Sequence, residues 1–321
     1  MGKEELMDEL FGNYTNISYE QLLETLHKFD KQDNFESNHK VHKRDFQKEF
    51  LDHNGFPSNL ERSVIGLDIL GYSQMEKGKQ DLVPFLFKLL LEETYKSLME
   101  YEFFLFHVYK NGIESLRKGF IPTGDGGFQI LPNPLFSLVF AIHFQTNLQF
   151  FLCGRIYPEL SKFYSEGIKL RYAMTYDELF RFDNNYYGKA IIHSARIMSK
   201  DKLDRCLMDA KSYRWFQDQF NGIETLEMMD YAMFQNSEAF SNFEPKYFER
   251  EKGMVIGDCP NHNGIQNIIV QDIGEINAKK DVLNVYNLFC QFSYEHLEIN
   301  SKKRNKIRIS LGNLNTTGIQ N

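Results

Sequence analysis

The stretch Ser63-Val-Ile-Gly-Leu-Asp-Ile-Leu70, followed by Gly71-Tyr-Ser73, decides how the fold is read. It is a short, mostly apolar run bounded by polar residues and a glycine, which is the pattern of a buried strand. Asp68 stands inside it, and a carboxylate buried without a partner costs on the order of several kcal/mol. A second acid, Asp125, sits at the tip of Phe120-Ile-Pro-Thr-Gly-Asp-Gly-Gly-Phe-Gln-Ile-Leu131. Two short extended pieces around a glycine turn predict a β-hairpin there, and its glycines let backbone amides come close to a phosphate. Alone, Asp125 reads as an ordinary turn aspartate. Neighbouring strands that bring Asp68 and Asp125 together would make a site for hard divalent cations, which take oxygen ligands.

Outward from these two motifs, Leu82 to about Met99 has apolar residues at helical spacing and reads as a long helix over the first strand. Asn133 to about Cys153 reads as a second, amphipathic helix, with Asn133 and Pro134 as cap and first turn. Ile168 to Thr175 is expected as a strand, Ala190 to Met198 as a helix after Gly188, and Gly264 to Asp272 and Asp281 to Phe292 as strands around a polar turn. That order predicts an α+β or α/β sandwich rather than a bundle or barrel. Residues 1–60 are polar, with a helix expected at Tyr19–Phe29. The turn-rich Asp52-His-Asn-Gly-Phe-Pro-Ser-Asn59 marks a boundary.

Composition narrows the function. The chain has 321 residues, 42% hydrophobic, with 29 Phe and 17 Tyr, enough apolar material to exclude a disordered class. A net charge of −7 gives no global attraction to polyanions, and the basic run Lys302 to Arg308 is short, so no nucleic-acid partner is expected. Cys153, Cys206, Cys259 and Cys290 form no CxxC pair, which argues against a disulfide framework or zinc knuckle, and Cys259-Pro-Asn-His262 makes half a metal site at best. No run reaches the ~18 consecutive apolar residues of a spanning helix. The N-terminal residues form neither a signal peptide nor a myristoylation pattern, so the expectation is a cytoplasmic protein with no membrane partner.

Several motifs, taken in order, carry a resemblance. Gly66-Leu-Asp-Ile-Leu-Gly-Tyr-Ser73 resembles the first strand and turn of class III nucleotidyl cyclases, and Ile121-Pro-Thr-Gly-Asp-Gly-Gly-Phe128 is similar to that family's second-metal hairpin. Gly188-Lys-Ala-Ile-Ile-His-Ser-Ala-Arg196 resembles its turn and helix ending in a catalytic arginine. Arg205-Cys-Leu-Met-Asp209 and Val270 to Leu288 are similar to its closing strands. The resemblance spans residues 62–293 and implies an α+β sandwich with a ferredoxin-like core as the catalytic domain, 61–293. It leaves 1–60 as an N-terminal helical extension, 216–257 as an insertion without counterpart, and 294–321 as a polar C-terminal tail.

Residue by residue, the resemblance implies that Asp68 and Asp125, with the backbone carbonyl of Ile69, bind two Mn²⁺ or Mg²⁺ ions. Gly71, Tyr72 and Ser73 would meet the phosphates of a nucleoside triphosphate. Arg196 would stabilise charge on the α-phosphate, from the other subunit of a homodimer with shared sites. Three positions depart from the pattern. Ile121 stands where purine-specific members carry a base-reading Lys, Asn185 where they carry an acid, and Ile192 where the family has a ribose-orienting Asn. An aliphatic chain offers no donor to a purine edge, whereas an Asn amide can pair with a pyrimidine edge. The chain therefore looks most like the pyrimidine cyclases of Pycsar anti-phage defence, which make cUMP or cCMP for a separate effector. Two alternatives stay open: a purine cyclase with unusual base recognition, and a degenerate domain that binds a nucleotide or partner without chemistry. The Gly-Gly-Asp/Glu-Glu-Phe signature of diguanylate cyclases is absent, since Asp125 is followed by Gly126-Gly127.

Overall fold

In the computed structural model the apolar run around Asp68 is β1 (Leu60–Ile69), the strand about which a sheet of nine strands among the described residues is organised. The structure describes residues 60–109, 111–182, 185–229, 233, 253–256, 264–278, 281–298 and 303–319. The expected helix Tyr19–Phe29, the turn segment 52–59 and Cys259–His262 lie outside the described residues. The described residues of 59–146 and 169–321 form one compact unit, and the described residues 147–168 belong to a second. In that second unit, Arg155 lies over the Phe150 ring and Phe151 meets Tyr164 edge-on.

From β1 the chain runs through three helices, α1 (Lys77–Tyr101), α2 (Phe103–Phe106) and α3 (Ile113–Arg117), to the hairpin β2 (Phe120–Pro122) and β3 (Gly126–Leu131). Next come α4 (Pro134–Leu152), the short α5 (Pro158–Ser161), β4 (Leu170–Phe182) and β5 (Asn185–Gly188). The chain continues with α6 (Lys189–Lys200), β6 (Cys206–Asp209), α7 (Ala210–Phe220), β7 (Gly264–Ala278), β8 (Asp281–Glu298) and β9 (Lys303–Leu311). Strand order is β2-β3-β1-β4-β6-β8-β7, with β5 paired to β4 and β9 to β8. β1 is antiparallel to both β3 and β4. The order β1-α-β2-β3-α-β4 with this pairing is the ferredoxin-like core the resemblance implied, and the fold is mixed α+β.

Alternation along β1 sorts its side chains onto two faces. Val64 joins Phe128, Ile130, Ala173 and Leu179 under α6, which contributes Ala190, Ile197 and Met198 to the same cluster. Gly66 lies directly beneath that helix: a Cβ there would stand 2.5 Å from Ser194 Oγ. Asp68 continues this face. Ser63, Ile65 and Leu67 face the other way, where Ser137 of α4 bonds Ser63 and Tyr95 of α1 bonds buried Gln129, the partner of Ile65. Val64, Ile65 and Leu67 are fully buried, each burial giving about 1.5–3 kcal/mol.

Three expectations change. α4 is buried on every side over Leu138 to Ile142 rather than amphipathic, and it also buries the polar Ser137, His143 and Thr146. By length and composition it could cross a membrane, but 78% of its apolar window is buried, as in the core helix of a sandwich. Second, 294–321 is not a polar tail. β8 continues to Glu298, and β9 pairs with it from Cys290↔Leu311 to Glu298↔Lys303. Ile309 and Leu311 are buried, so a period-two pattern lay beneath the basic composition. Third, Phe216 is buried on α7, so the expected insertion begins inside a helix of the sandwich. Farther along, Met254 and Val255 are tied to the core through their amides, which donate to buried Glu102.

Candidate active site

Asp68 is the last inward residue of β1 on the α6 face, and its register partner on β3 is Gly126. A Cβ at Gly126 would lie 2.0 Å from the Leu67 carbonyl oxygen, so only glycine lets the hairpin come this close. That approach places Asp125 beside the end of β1, where its carbonyl oxygen accepts the Ile69 amide at 3.3 Å. Burial raises the Asp68 carboxyl above its ordinary value, and the charge of Asp125 adds to the rise. The sequence-derived acids and Ile69 are thus brought together by strand register.

A residue the sequence reading missed completes this corner. Arg171, opposite Asp68 on β4, donates from Nε to Oδ1 at 2.8 Å and from an outer nitrogen to Oδ2 at 2.6 Å. The remaining terminal nitrogen donates to the Asp201 carbonyl at the end of α6, at 2.6 Å. The guanidinium supplies the countercharge that a half-buried Asp68 requires, and it opposes the rise in that carboxyl's pKa. Its only sequence signal is a basic residue in the mostly apolar strand Leu170-Arg171-Tyr-Ala-Met174, which does not name its neighbour.

Gly71, in the left-handed region at φ 78°, opens a 3₁₀ turn over Tyr72–Gln74 beyond the end of β1. The amides of Gln74 and Met75 close the turn, while those of Tyr72 and Ser73 donate to no backbone acceptor among the described residues. Such a turn presents amides to an anion.

The other sequence-derived residues lie elsewhere in the protomer. Ile192 and Arg196 are one turn apart on the face of α6 turned away from the sheet, opposite buried Ser194, Ile197 and Met198. Ile192 is 49% exposed, and Arg196 forms no ion pair among the described residues. Asn185 is exposed at the start of β5, its side-chain Oδ1 accepting the Tyr186 amide. Ile121 is half-buried and packs against the cluster under α6. No hydrogen bond or ion pair joins Arg196 to either acid among the described residues.

The donor set at the Asp68–Asp125 corner is two carboxylates and a main-chain carbonyl, all hard oxygen. No group of three His, Cys, Asp or Glu side chains forms a cluster among the described residues. That set fits Mg²⁺ or Mn²⁺ shared with substrate phosphates, which need only one or two protein carboxylates, and does not fit zinc. Both Asp68 oxygens accept from Arg171 here, so a metal ion at this corner would have to displace that guanidinium.

Similar folds are found among solved structures. An adenylate/guanylate cyclase/hydrolase from Silicibacter pomeroyi is 14% identical, with 72% of this chain and 97% of that one covered, at a TM-score of 0.42. The adenylyl cyclase CyaB from P. aeruginosa is 11% identical, with 73% and 95% covered, at 0.41. The guanylate cyclase domain of RhGC from Catenaria anguillulae, solved with GTP, is 11% identical, with 71% and 96% covered, at 0.39. No protein-family model and no curated protein matches the sequence.

Proposed function

We propose that the protein is a nucleotidyl cyclase that converts UTP or CTP to its 3′,5′-cyclic monophosphate and pyrophosphate. The observation that carries the reading is Asp68 paired by register with Gly126, which sets Asp125 at the end of β1 beside a forked arginine. Asp68, Asp125 and the Ile69 carbonyl would hold two divalent cations, which when bound activate the ribose 3′-hydroxyl and neutralise the triphosphate. In the reaction the 3′-oxygen bonds to the α-phosphorus, the bond to the bridging oxygen breaks, and pyrophosphate departs.

The chain's own groups have separable tasks. Arg171 presents a planar fork that suits phosphate as well as carboxylate. Exchanging Asp68 for a phosphate oxygen would free both Asp68 oxygens. The amides of Tyr72 and Ser73 would meet phosphate oxygens at the turn. Arg196 would place its charge where the α-phosphate becomes most negative. Because Arg196, Ile192 and Asn185 face outward on α6 and β5, they would serve the Asp68 corner of a second copy, making the active unit a homodimer. Asn185 would read the pyrimidine edge, and aliphatic Ile121 removes the purine-reading donor. The cyclic product would act on a separate effector in anti-phage signalling.

One observation favours a second reading, a domain that binds nucleotide without chemistry: exposed Ile192 offers no amide to the ribose. Mixing decides between them. Asp68→Ala and Arg196→Ala proteins should each be inactive, and the mixture should regain up to about a quarter of wild-type activity, the share of intact sites across a randomly assorted mixture. An inactive wild type that still binds UTP would establish the second reading. Mixed variants that stay inactive as heterodimers would remove the shared site.

A further inference from the structure

The C-terminal residues 312–319 form a strap rather than a loose end. Gly312, at φ 72°, turns the chain off β9 so closely that a Cβ would lie 2.5 Å from the Leu288 carbonyl oxygen. Asn313 Nδ2 donates to the backbone and side chain of Asp204, both at 2.9 Å, and its carbonyl oxygen receives Asn287 Nδ2 at 2.9 Å. The strap ends with the Ile319 amide donating to the Ile273 carbonyl on β7. Between these ties it passes a buried cation. Arg205 is 2% exposed, and one of its terminal nitrogens donates to the strap carbonyls of Thr317 at 2.6 Å and Asn315 at 3.3 Å. Its other two nitrogens both hold Asp201 Oδ1, at 3.0 and 2.6 Å.

Asp201 is the residue whose carbonyl accepts Arg171. A continuous chain of bonds therefore runs from the strap through Arg205 and Asp201 to Arg171 and on to Asp68. The Arg205–Asp201 pair is a poor device for stability alone. It is buried at both ends, and Asp201 Oδ2 has no hydrogen-bond partner among the described residues, so desolvation offsets much of its attraction. What it does secure is the place of one carbonyl, and that carbonyl sets one of the three directions in which the Arg171 fork is held.

We propose that Arg205 is a positioning residue for Arg171, and that the 312–319 strap is the element that keeps it in place. The proposal rests on the cyclase reading for its effect on turnover, because Arg171 would be the group that meets the triphosphate. Its structural half, the coupling of the strap to the Arg171 guanidinium, is measurable without turnover.

The test uses full-length Arg205→Lys, which keeps the charge but not the fork, and Asn313→Ala, which loosens the strap and touches neither acid nor Arg171. In protein labelled with ¹⁵N-arginine, Nε–H of Arg171, assigned by its loss in Arg171→Ala, should exchange with solvent at least about tenfold faster in both variants. KM for the preferred triphosphate should rise about five- to tenfold with kcat within about twofold, and neither variant should raise it further in an Arg171→Ala background. A structural role alone would lower the melting temperature while leaving the Arg171 signal and KM at wild-type values, and that result overturns the proposal. If Arg205→Lys does not fold, Asn313→Ala decides by the same readings. If the wild type turns over none of UTP, CTP, ATP and GTP, the cyclase reading falls and the Arg171 signal still decides the coupling.

Discussion

Replacing Gly126 with alanine should break the site without touching a functional side chain. The added Cβ would stand 2.0 Å from the Leu67 carbonyl oxygen and 2.7 Å from Asp68 Cα, against 3.4 Å for ordinary contact. Both obstacles are backbone of a central strand, so the hairpin must retreat by roughly 1.4 Å or the β1–β3 ladder must open. The cost should be about 2–4 kcal/mol, which for a unit of this size lowers the melting temperature by roughly 5–12 °C. Because the retreat carries Asp125 away from Asp68, product formation should fall by about a hundredfold or more even where the protein is fully folded. Gly124→Ala is the control: no atom lies within 4 Å, and only its φ of 104° resists, which costs about 1–3 kcal/mol and leaves Asp125 beside β1. Thermal melts with an activity assay well below the transition separate the two effects. Gly126→Ala with a wild-type melt and wild-type turnover would refute the claim that this close approach assembles the acids.

Other expectations follow from single contacts. Asp209 caps α7 by accepting the Ser212 amide, and burial raises its carboxyl to about 6. Stability from this group is fully present below the ordinary carboxylate pKa and is lost as pH rises to about 6, a loss on the order of 3 kcal/mol. Asp209→Asn keeps the cap and removes the titration, so in urea titrations it should gain on the wild type between pH 4 and 7; a difference that does not change with pH would contradict this. Asn133 Oδ1 accepts the amides of Leu135 and Phe136, and Asn133→Ala should lose about 1 kcal/mol, seen as a melting point lower by roughly 2–4 °C. Ile121→Lys combined with Asn185→Asp should shift turnover from UTP or CTP toward ATP or GTP by at least about tenfold, and an unchanged preference would place base reading elsewhere.

Much of the sandwich was legible because its elements are locally consistent. Asp68 in an apolar run, glycines on both sides of Asp125, Asn133 before Pro134 and the turn at Gly188 each say what the backbone must do nearby. What stayed hidden depends on distant pairing. Arg171 is separated from Asp68 by two helical crossovers, and only the β1–β4 register puts them side by side. β9 was masked by the basic residues of Lys303 to Arg308, which suit an edge strand yet read as a solvated tail. That α4 is buried on all sides depends on what packs around it, which its own periodicity could not show. Arg205 and the strap were invisible for the same reason as Arg171: carbonyl oxygens leave no mark in a sequence.

The measurement that bears most directly on the central claim is product identification by mass spectrometry. Purified protein with Mn²⁺ would be given UTP, CTP, ATP and GTP separately, with Asp125→Ala and Arg196→Ala alongside. The account predicts a 3′,5′-cyclic pyrimidine monophosphate and an equal amount of pyrophosphate, both absent in the two variants. A purine product would keep the chemistry and contradict the base reading drawn from Ile121 and Asn185, and no cyclic product from a folded dimer would contradict the cyclase account itself.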